Sequence, residues 1–314
     1  MAELYDIAIL GAGPAGISAA IYAARARLNV IWLDKQYATG GQIINTGEVD
    51  NYPGLPGLTG FDLGETMGKH AEKLGLTPVR ESVLSIENIE TEENERENII
   101  RTNKSEYHAK TLIAAFGAGH RKLGVPGEEE FSGMGVSYCA TCDGAFFRDK
   151  TVSVVGGGNT AVGDAIILAR FCKKVYLIHR RAELRADKIL QENLFACENV
   201  ETVWDSGVSE IVGNDRVTGI RIQNKKTGEE TLLETDGVFV AVGITPNTEK
   251  LQNVVALDEA GYMIAGEDGI TNVPGIFAAG DIRTKSLRQV VTAVSDGANA
   301  VNSAQEYLMK IVEK

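Results

Sequence analysis

The sequence predicts an α/β protein with two Rossmann-like dinucleotide-binding domains, the second inserted into the first. The first observation is a repeat, since residues 5–35 and 150–180 both read strand, glycine-rich turn, helix and strand. The second is that equivalent positions of the two copies keep a constant offset along the chain. The third is a pair of similar strands ending in glycine, 112–117 and 238–243, that bracket the second copy. Such units are typical of open parallel sheets that bind dinucleotides.

The composition is that of a globular protein with more than one domain. The chain has 314 residues, of which 44% are hydrophobic, and this is enough to form real cores. Its net charge of −12 argues against a nucleic acid or an anionic membrane as a partner. No apolar run approaches the ~18 residues of a membrane span, and residues 1–6 lead into a strand without a signal-peptide pattern. We therefore expect a cytoplasmic protein, in line with its use of four cysteines.

The first repeat unit predicts an FAD or NAD site. Its strand 5–10 leads into the turn Gly-Ala-Gly-Pro-Ala-Gly at 11–16, and a helix follows. Gly-x-Gly-x-x-Gly alone is a weak signal, but an apolar strand before it and a helix after it are the context that the motif requires. The helix N-terminus then offers N–H groups to phosphate oxygens. The second strand, 30–33, ends at Asp34, whose carboxylate can accept hydrogen bonds from a ribose and would repel a 2′-phosphate.

Two further elements follow in the first domain. Residues 61–74 place apolar side chains at helical spacing, which predicts an amphipathic helix. The highly charged stretch 87–98 predicts the exposed end of a hairpin. The strand 112–117 then marks the first crossover between domains.

The segment Cys139-Ala140-Thr141-Cys142-Asp143 predicts a redox dithiol. Two thiols separated by two residues can form a disulfide that is readily reduced and re-formed, and the pairing lowers the pKa of one thiol. The alternative is half of a zinc site, but no second Cys-x-x-Cys exists, so we predict no metal. We expect Cys172 and Cys197 to be inert buried thiols. A dithiol just ahead of a dinucleotide turn indicates an electron-transfer enzyme.

The second repeat unit predicts an NADP site. The strand 151–155 leads into the turn 156–161, Gly-Gly-Gly-Asn-Thr-Ala, and a helix. The second strand, 175–178, ends at His179-Arg180-Arg181, with Arg185 one turn further along. Guanidinium groups match a phosphate in geometry and charge. A solvated basic surface is the poorer alternative, because these arginines lie at the tip of the strand.

The remaining elements complete the first domain. Residues 275–281 predict a buried strand whose terminal Asp281 could bind a cofactor hydroxyl, and a final helix is predicted from about 287 to 310. With crossovers at the two glycine-ended strands, residues 1–117 and 246–314 form one discontinuous domain. Residues 118–245 form the inserted domain.

These motifs together resemble the low-molecular-weight, FAD-dependent thioredoxin reductases, a class of pyridine nucleotide-disulfide oxidoreductases. The matching residues span nearly the whole chain: Gly11–Gly16, Gly40–Gln42, Asn51–Gly54, Cys139–Gly144, Gly156–Ala161, His179–Arg181, Gly280–Asp281 and Arg288–Gln289. The departures are small: Phe116 in the first crossover, Gly163–Asp164 in the second helix, and Leu184 near the adenosine pocket.

The resemblance implies an enzyme that uses NADPH to reduce the disulfide of thioredoxin or a thioredoxin-like protein. It implies FAD in the first domain, NADPH and the dithiol in the inserted domain, and a homodimer. By resemblance Cys142 faces the flavin and Cys139 attacks the partner. Asp143 is then the general acid for the departing thiolate; an N-terminal helix cap is its alternative role.

Two sets of cofactor-binding residues are therefore expected. The FAD set is Gly11, Gly13, Pro14, Ala15, Asp34, Lys35, Gly41, Gln42, Asn51, Gly280, Asp281, Arg288 and Gln289. The NADPH set is Gly156, Gly158, Asn159, Thr160, Ala161, His179, Arg180, Arg181 and Arg185.

Alternatives stay open on the electron partner. A flavin reductase with this fold could exchange electrons with ferredoxin, as a ferredoxin–NADP reductase does, but the ferredoxin-linked enzyme of this family lacks the cysteine pair. It could also serve a glutaredoxin-like partner or a peroxiredoxin system, although the peroxiredoxin-linked type normally has an additional N-terminal redox domain. A non-enzymatic nucleotide sensor would not need a dithiol. Phe146 and Phe147 could pack on the partner or equally belong to the core.

Overall fold

The computed structural model describes residues 3–46, 48–91 and 96–312, and these fall into two compact units. The first unit comprises Met1–Ile44, Tyr52–Gly119 and Thr245–Lys314, and the second comprises Asn45–Asn51 and His120–Ile244. These limits differ by one or two residues from those drawn on the sequence. The short segment Asn45–Asn51 groups with the second unit, whereas the sequence assigned it to the first.

The helices and strands are numbered in chain order. The strands are β1 (Leu4–Leu10), β2 (Val30–Asp34), β3 (Val79–Arg80), β4 (Val83–Glu90), β5 (Arg96–Thr102), β6 (Glu106–Ala114), β7 (Ala118–His120), β8 (Val136–Ser137), β9 (Thr151–Val155), β10 (Lys174–Ile178), β11 (Val200–Val203), β12 (Ser206–Gly213), β13 (Val217–Asn224), β14 (Glu230–Glu234), β15 (Gly237–Val240), β16 (Ile244–Pro246) and β17 (Ile276–Ala278). The α-helices are α1 (Pro14–Arg25), α2 (Gly60–Lys73), α3 (Ala140–Asp143), α4 (Asn159–Ala169), α5 (Lys188–Phe195) and α6 (Val290–Val312), and short 3-10 helices cover Gly41–Asn45 and Gly144–Phe147.

The sheet of the first unit has the strand order β3-β2-β1-β6-β5-β4, and β17 also pairs with β6. The pairs among β3, β2, β1, β6 and β17 are parallel, and the β4–β5 hairpin continues from β6 in antiparallel fashion. Along β1, Ile7 and Ile9 pack with apolar residues of α1 and α6, while Ala8 and Leu10 pack into a second cluster. Because successive side chains point to opposite faces, a strand buried on both faces reads as a continuous apolar run.

The sheet of the second unit is parallel throughout, with the order β11-β10-β9-β15-β8. Helix α4 connects β9 to β10, and its Val162, Ala165 and Leu168 pack with Val152 and Val154 of β9. The strands β12, β13 and β14 form a separate antiparallel sheet. Strands β7 and β16, where the chain passes between the units, pair with each other.

The predicted α/β class is confirmed, and most differences concern element ends. The amphipathic helix predicted at 61–74 is α2, and the final helix begins later than predicted, at Val290. Strand β6 starts at Glu106, well before the predicted strand. Its first residues are polar, but they pair with β5 and so extend the strand beyond its apolar part. The charged hairpin is formed by β4 and β5, although residues 92–95 lie outside the described residues. None of the described helices has the length and apolarity to cross a membrane.

Candidate active site

Cys139 and Cys142 form a disulfide, with their Cα atoms 5.3 Å apart. Cys139 is the extended residue just before α3, and its Sγ accepts a hydrogen bond of 3.2 Å from the backbone N–H of Cys142. Both cysteines are half-buried, and Thr141 between them is exposed. The backbone N–H of Cys142 is therefore directed at the sulfur of Cys139.

Asp143 is the last residue of α3, and only one of its two carboxyl oxygens has a hydrogen-bond partner in the described part of the chain. Its Oδ2 accepts a hydrogen bond of 2.6 Å from the Ser137 hydroxyl. Its Oδ1 is buried and has no hydrogen-bond partner within the described part of the chain. Burial raises the pKa of Asp143, and the bond from Ser137 opposes that effect. The alternative role as a helix cap is wrong, since the side chain makes no capping bond to the 3-10 helix that follows.

The two phenylalanines after the dithiol have different environments. Phe147 is buried in the core and meets Phe239 edge-on at 5.2 Å, whereas Phe146 is 41% exposed. Cys172 is buried as predicted, and burial raises the pKa of its thiol to about 11. The expectation that Cys197 is buried is wrong. It follows the end of α5, where it is only half-buried, and its thiol donates to the carbonyl of Asn193.

The first glycine turn brings several of the predicted FAD residues together. Gly11 has φ +115°, and a Cβ there would lie 2.3 Å from the carbonyl oxygen of Ala115, so only glycine fits. At Gly13 an added Cβ would lie 3.9 Å from the nearest atoms, which belong to Gly40 and Gly41 and are at ordinary van der Waals distance. Asp34 accepts the backbone N–H groups of Ala12 at 2.5 Å and Gln36 at 2.6 Å, and this fixes its carboxylate against the turn.

Other predicted FAD residues lie around this turn. Pro14 and Ala15 open α1, and Gly41 approaches Gly13 so closely that an added Cβ would be 2.9 Å from its Cα. A Cβ on Gly280 would lie 2.9 Å from the Cβ of Ala15, which places the turn after β17 beside the first turn. The remaining members are exposed: Lys35, Gln42 and Asn51, the last of which belongs to the segment grouped with the second unit.

Asp281 follows β17 and fits a ligand that brings hydrogen-bond donors. Its Oδ1 is buried without a partner among the described residues, and the same holds for Nε of Arg288. Burial raises the pKa of Asp281, and the positive charges of Lys285 and Arg288 oppose that effect. The Arg288 guanidinium lies 4.1 Å from the centre of the Tyr262 ring, and Gln289 beside it is half-buried. A buried acceptor and a buried donor without protein partners fit the hydroxyl and ring polar atoms of a flavin nucleotide.

A buried ion cluster behind Asp281 escaped the sequence analysis. The Asp296 carboxylate binds the Arg283 guanidinium through two hydrogen bonds of 2.9 and 2.7 Å and Nζ of Lys285 at 2.8 Å. It also accepts the backbone N–H of Gly280 at 2.9 Å, so it holds the turn that presents Asp281. The sequence shows the three charged residues Arg283, Lys285 and Asp296, but not that they pair, because the pairing depends on how α6 packs.

The second glycine turn has the same construction as the first. Gly156 has φ +156°, and an added Cβ would lie 2.4 Å from the carbonyl oxygen of Ala241. Gly158 has open space on its Cβ side, with nothing within 4 Å. Asn159 exchanges hydrogen bonds of 2.8 and 2.9 Å with Asp187. Thr160 is exposed, whereas Ala161 is fully buried, so its side chain belongs to the core.

Basic residues lie next to this second turn. The His179 ring packs against Gly157, where an added Cβ would be 2.3 Å from it, and its buried Nε2 has no partner among the described residues. Burial lowers the pKa of His179, so its ring is neutral at pH 7. The backbone N–H of Arg185 donates to the carbonyl of Gly157 at 2.7 Å. The side chains of Arg180, Arg181 and Arg185 are exposed, and no carboxylate of the described chain pairs with them.

Comparison with known proteins agrees with this geometry. The sequence model of the family described as pyridine nucleotide-disulphide oxidoreductase matches residues 5–297. The thioredoxin reductase of Listeria monocytogenes is 44% identical over 99% of this chain and 96% of its own length. The crystal structure of thioredoxin reductase from Streptococcus pyogenes superposes with a TM-score of 0.91 and 46% identity, covering 98% of this chain and 99% of that chain.

A more distant structure, a ferredoxin-flavin thioredoxin reductase from Clostridium acetobutylicum, is 30% identical over the full length of both chains, with a TM-score of 0.53. The resemblance read from the motifs and the fold with two dinucleotide-binding domains are thereby confirmed. The chain belongs to the pyridine nucleotide-disulphide oxidoreductase family and, within it, to the thioredoxin reductases.

Proposed function

We propose that this protein is an NADPH-dependent thioredoxin reductase that holds FAD in its first unit and NADPH in its second. The observation that carries the proposal is the Cys139–Cys142 disulfide beside the buried carboxyl of Asp143, in a chain of this family. When bound, the two cofactors supply the electron pair that opens this disulfide. The remaining chemistry belongs to side chains of the protein.

The first unit supports an FAD site. Gly13, which has no side chain, caps the start of α1, where the N–H groups of a helix N-terminus favour an anion such as a pyrophosphate. Asp34, fixed by two backbone N–H groups, is available to a ribose. The unpaired Oδ1 of Asp281 is available to a ribitol hydroxyl. The FAD set named from the sequence is therefore retained as the proposed contact set.

The second unit supports an NADPH site. The open side of Gly158 at the start of α4 leaves room for the pyrophosphate. The exposed guanidinium groups of Arg180, Arg181 and Arg185 have no carboxylate partner in the described chain and can bind a 2′-phosphate. This feature favours NADPH over ferredoxin as the electron donor, even though one more distant relative bears a ferredoxin-linked name.

Reduction of the protein partner follows by thiol–disulfide exchange. The Cys139 thiolate attacks one sulfur of the partner disulfide; a mixed disulfide forms and the other partner sulfur departs as a thiolate. Cys142 then attacks Cys139, which re-forms the Cys139–Cys142 disulfide and releases the second partner sulfur. Asp143 is the proposed general acid for the departing thiolate, and burial raises the pKa of its carboxyl.

Three finer points belong to the same proposal. The partner is thioredoxin or a thioredoxin-like protein, with glutaredoxin-like and peroxiredoxin systems as alternatives. The enzyme acts in the cytoplasm, as the cysteine usage suggests. It is a homodimer, which rests on the family resemblance.

The test is an anaerobic titration followed by a turnover assay. NADPH should bleach the flavin absorption of the purified protein, and the reduced protein should then reduce oxidised thioredoxin catalytically. Reduced ferredoxin, NADH and oxidised glutaredoxin serve as comparison reactants. Flavin that stays oxidised with NADPH but is reduced by ferredoxin would contradict the donor, and no reduction of any protein disulfide would contradict the activity.

A further inference from the structure

Ser137 has no role in the proposed chemistry so far, yet it lies directly beside the reactive groups. It is the last residue of β8, where it pairs with Phe239 of β15, and its side chain is 5% exposed. A strand held on the parallel sheet of the second unit gives this hydroxyl a fixed position. Ser137 precedes Cys139 by only two residues, so the chain turns sharply between the strand and the dithiol.

The Ser137 hydroxyl joins the backbone of Cys139 to the carboxyl of Asp143. Its Oγ accepts the backbone N–H of Cys139 at 3.1 Å and lies 2.6 Å from Oδ2 of Asp143. Among the described residues, the other acceptor within reach of its proton is the carbonyl of Cys139, at a longer 3.4 Å. The hydroxyl proton is therefore best placed on Asp143, because the 2.6 Å contact has the length of a strong hydrogen bond to a carboxyl oxygen.

This arrangement distinguishes the two oxygens of Asp143. Oδ2 is occupied as an acceptor, so a proton on the carboxyl group resides on Oδ1. Oδ1 is the buried oxygen without a partner in the described chain. A second contact supports the same geometry, since the backbone N–H of Asp143 donates to the carbonyl of Cys139 at 3.1 Å.

We propose that Ser137 is a positioning residue for the general acid Asp143. Its hydroxyl donates to Oδ2 of Asp143 and thereby keeps the transferable proton on Oδ1, and its bond to the Cys139 backbone holds the carboxyl beside the dithiol. The inference rests on the proposed function, because it assigns Ser137 to the proton transfer that accompanies disulfide exchange. Ser137 acts through Asp143, because its hydroxyl bonds to the Asp143 carboxyl and to the backbone of Cys139. The hydrogen bond also favours the ionised carboxylate, which limits the rise of the Asp143 pKa that burial causes.

The experiment uses the holoenzyme, reduced with NADPH and mixed with oxidised thioredoxin in a stopped-flow instrument over a range of pH. Ser137→Ala should slow this half-reaction about tenfold. A general acid contributes about 10²–10⁴-fold, and the loss is smaller here because Asp143 is still present and has lost only its positioning bond. It should also move the alkaline limb of the profile to higher pH, because a lost donor raises the pKa of the acid. Ser137→Thr keeps the hydroxyl and should restore both values.

A double-mutant cycle separates positioning from structural support. Asp143→Asn should slow the half-reaction about a hundredfold and abolish the alkaline limb. Ser137→Ala added to Asp143→Asn should cause no further loss, because no acid remains to be positioned. Equal losses in both backgrounds, or an unmoved alkaline limb in Ser137→Ala, would overturn the proposal. Ser153→Ala is the matched control, since Ser153 is also fully buried in this unit but its Oγ has no hydrogen-bond partner in the described chain.

One further measurement does not depend on the folding of the alanine variant. The infrared band of the protonated Asp143 carboxyl, assigned in the wild-type holoenzyme by its loss in Asp143→Asn, should lie at the lower frequency of a hydrogen-bonded carbonyl. A band of a free carbonyl would refute the role of Ser137. Reduction of the flavin by NADPH serves as the internal reference in every variant. If the wild-type protein fails to reduce thioredoxin, the proposed function fails; if it succeeds and Ser137→Ala matches it, only this inference fails.

Discussion

Asp143 and Asp281 are two half-buried carboxyl groups whose neighbours suit them to different tasks. Each has one buried oxygen without a partner in the described chain, and burial raises the pKa of each. Within the described part of the chain, the side-chain donor to Asp143 is the neutral hydroxyl of Ser137, so this carboxyl is suited to hold and release a proton. Asp281 lies near the positive charges of Lys285 and Arg288, which favour the carboxylate that accepts hydrogen bonds from ligand hydroxyls.

The two thiols should behave differently when each is replaced. In Cys142→Ser the remaining Cys139 should trap thioredoxin as a stable mixed disulfide, because the resolving thiol is missing. In Cys139→Ser the remaining thiolate at Cys142 should add long-wavelength absorption to the flavin spectrum. Gel analysis under non-reducing conditions and visible spectroscopy distinguish the two, and the reverse behaviour would exchange the proposed roles.

Replacement of one arginine at the tip of β10 should change coenzyme preference. Arg180→Ala or Arg181→Ala removes a charged hydrogen bond worth about 1.5–3 kcal/mol, so NADPH binding should weaken about ten- to a hundredfold. Binding of NADH should stay unchanged, because NADH lacks the 2′-phosphate. KM values for both coenzymes provide the measurement, and Arg216→Ala, at an equally exposed position between β12 and β13, is the control. Equal losses for both coenzymes would remove the assigned role.

Asp164 of α4 should make the stability of the protein depend on pH. Burial raises the pKa of Asp164 to about 7, well above its ordinary value of 3.8. The native state therefore retains a proton that the unfolded state has lost, and stability falls by up to about 1.4 kcal/mol per pH unit between these two values.

The variant Asp164→Asn should remove this dependence. Its advantage in Tm over wild type should grow as pH rises from about 4 and level off above the folded-state pKa near 7. Calorimetry of the holoenzymes at several pH values measures it. Asp215→Asn, at an exposed loop position, is the control, and a difference in Tm that does not vary with pH would refute the prediction.

At the scale of elements, the two strand–turn–helix units use glycine for two distinct reasons. The first glycine of each turn, Gly11 or Gly156, has a positive φ and lies against the backbone of a neighbouring segment. The third residue of each turn, Gly13 or Gly158, has an ordinary φ; an added Cβ would meet nothing within 4 Å at Gly158 and would approach no atom closer than 3.9 Å at Gly13. The first position therefore serves the fold, and the third leaves room for a ligand.

Alanine at these two kinds of position should have different effects. Gly11→Ala should yield protein with little FAD, because its Cβ would lie 2.3 Å from a backbone oxygen at a φ of +115°. Gly158→Ala should fold and retain FAD but raise the KM for NADPH by about tenfold or more, since its Cβ occupies the space left for the pyrophosphate. Flavin content and steady-state kinetics test both. Normal flavin in the first variant or a normal KM in the second would contradict the corresponding assignment.

At the scale of the whole molecule, one chain contains two strand–turn–helix units whose second strands end in opposite charges. The protein has a net charge of −12, yet the tip of β10 carries three exposed guanidinium groups, whereas the equivalent strand of the first unit ends at Asp34. A fold used twice with opposite charges at one position can therefore hold two different dinucleotides.

The purified protein should be yellow and should contain FAD that is not covalently bound. Acid precipitation should release the flavin, and chromatography should identify it as FAD in about equal amount to the chain. The reason is that Asp34 and the glycine turn at the start of α1 fit the adenosine and pyrophosphate that FMN lacks. Release of FMN, or no flavin after reconstitution with FAD, would contradict the assignment of the first unit.

The sequence by itself determined the repeated units, the dithiol and the difference between Asp34 and the arginines after β10. These are local patterns, since strand periodicity, glycine turns and the spacing of two cysteines need only a few neighbouring residues. The repeat led to the fold class, and the resemblance that the motifs carry together led to the family. Element ends were less accurate, as the early start of β6 at Glu106 shows, because pairing with β5 extends a strand beyond its apolar run.

The tertiary structure alone decided which polar groups face each other and which are left without partners. Asp296 of α6 meets Arg283 and Lys285 only because helix packing brings them together, and Ser137 reaches Asp143 only because β8 is fixed on the sheet. The same packing separates Phe147, which is in the core, from the exposed Phe146 beside it. The physical reason is that burial and hydrogen bonding depend on contacts between segments distant in the chain, which no local pattern specifies.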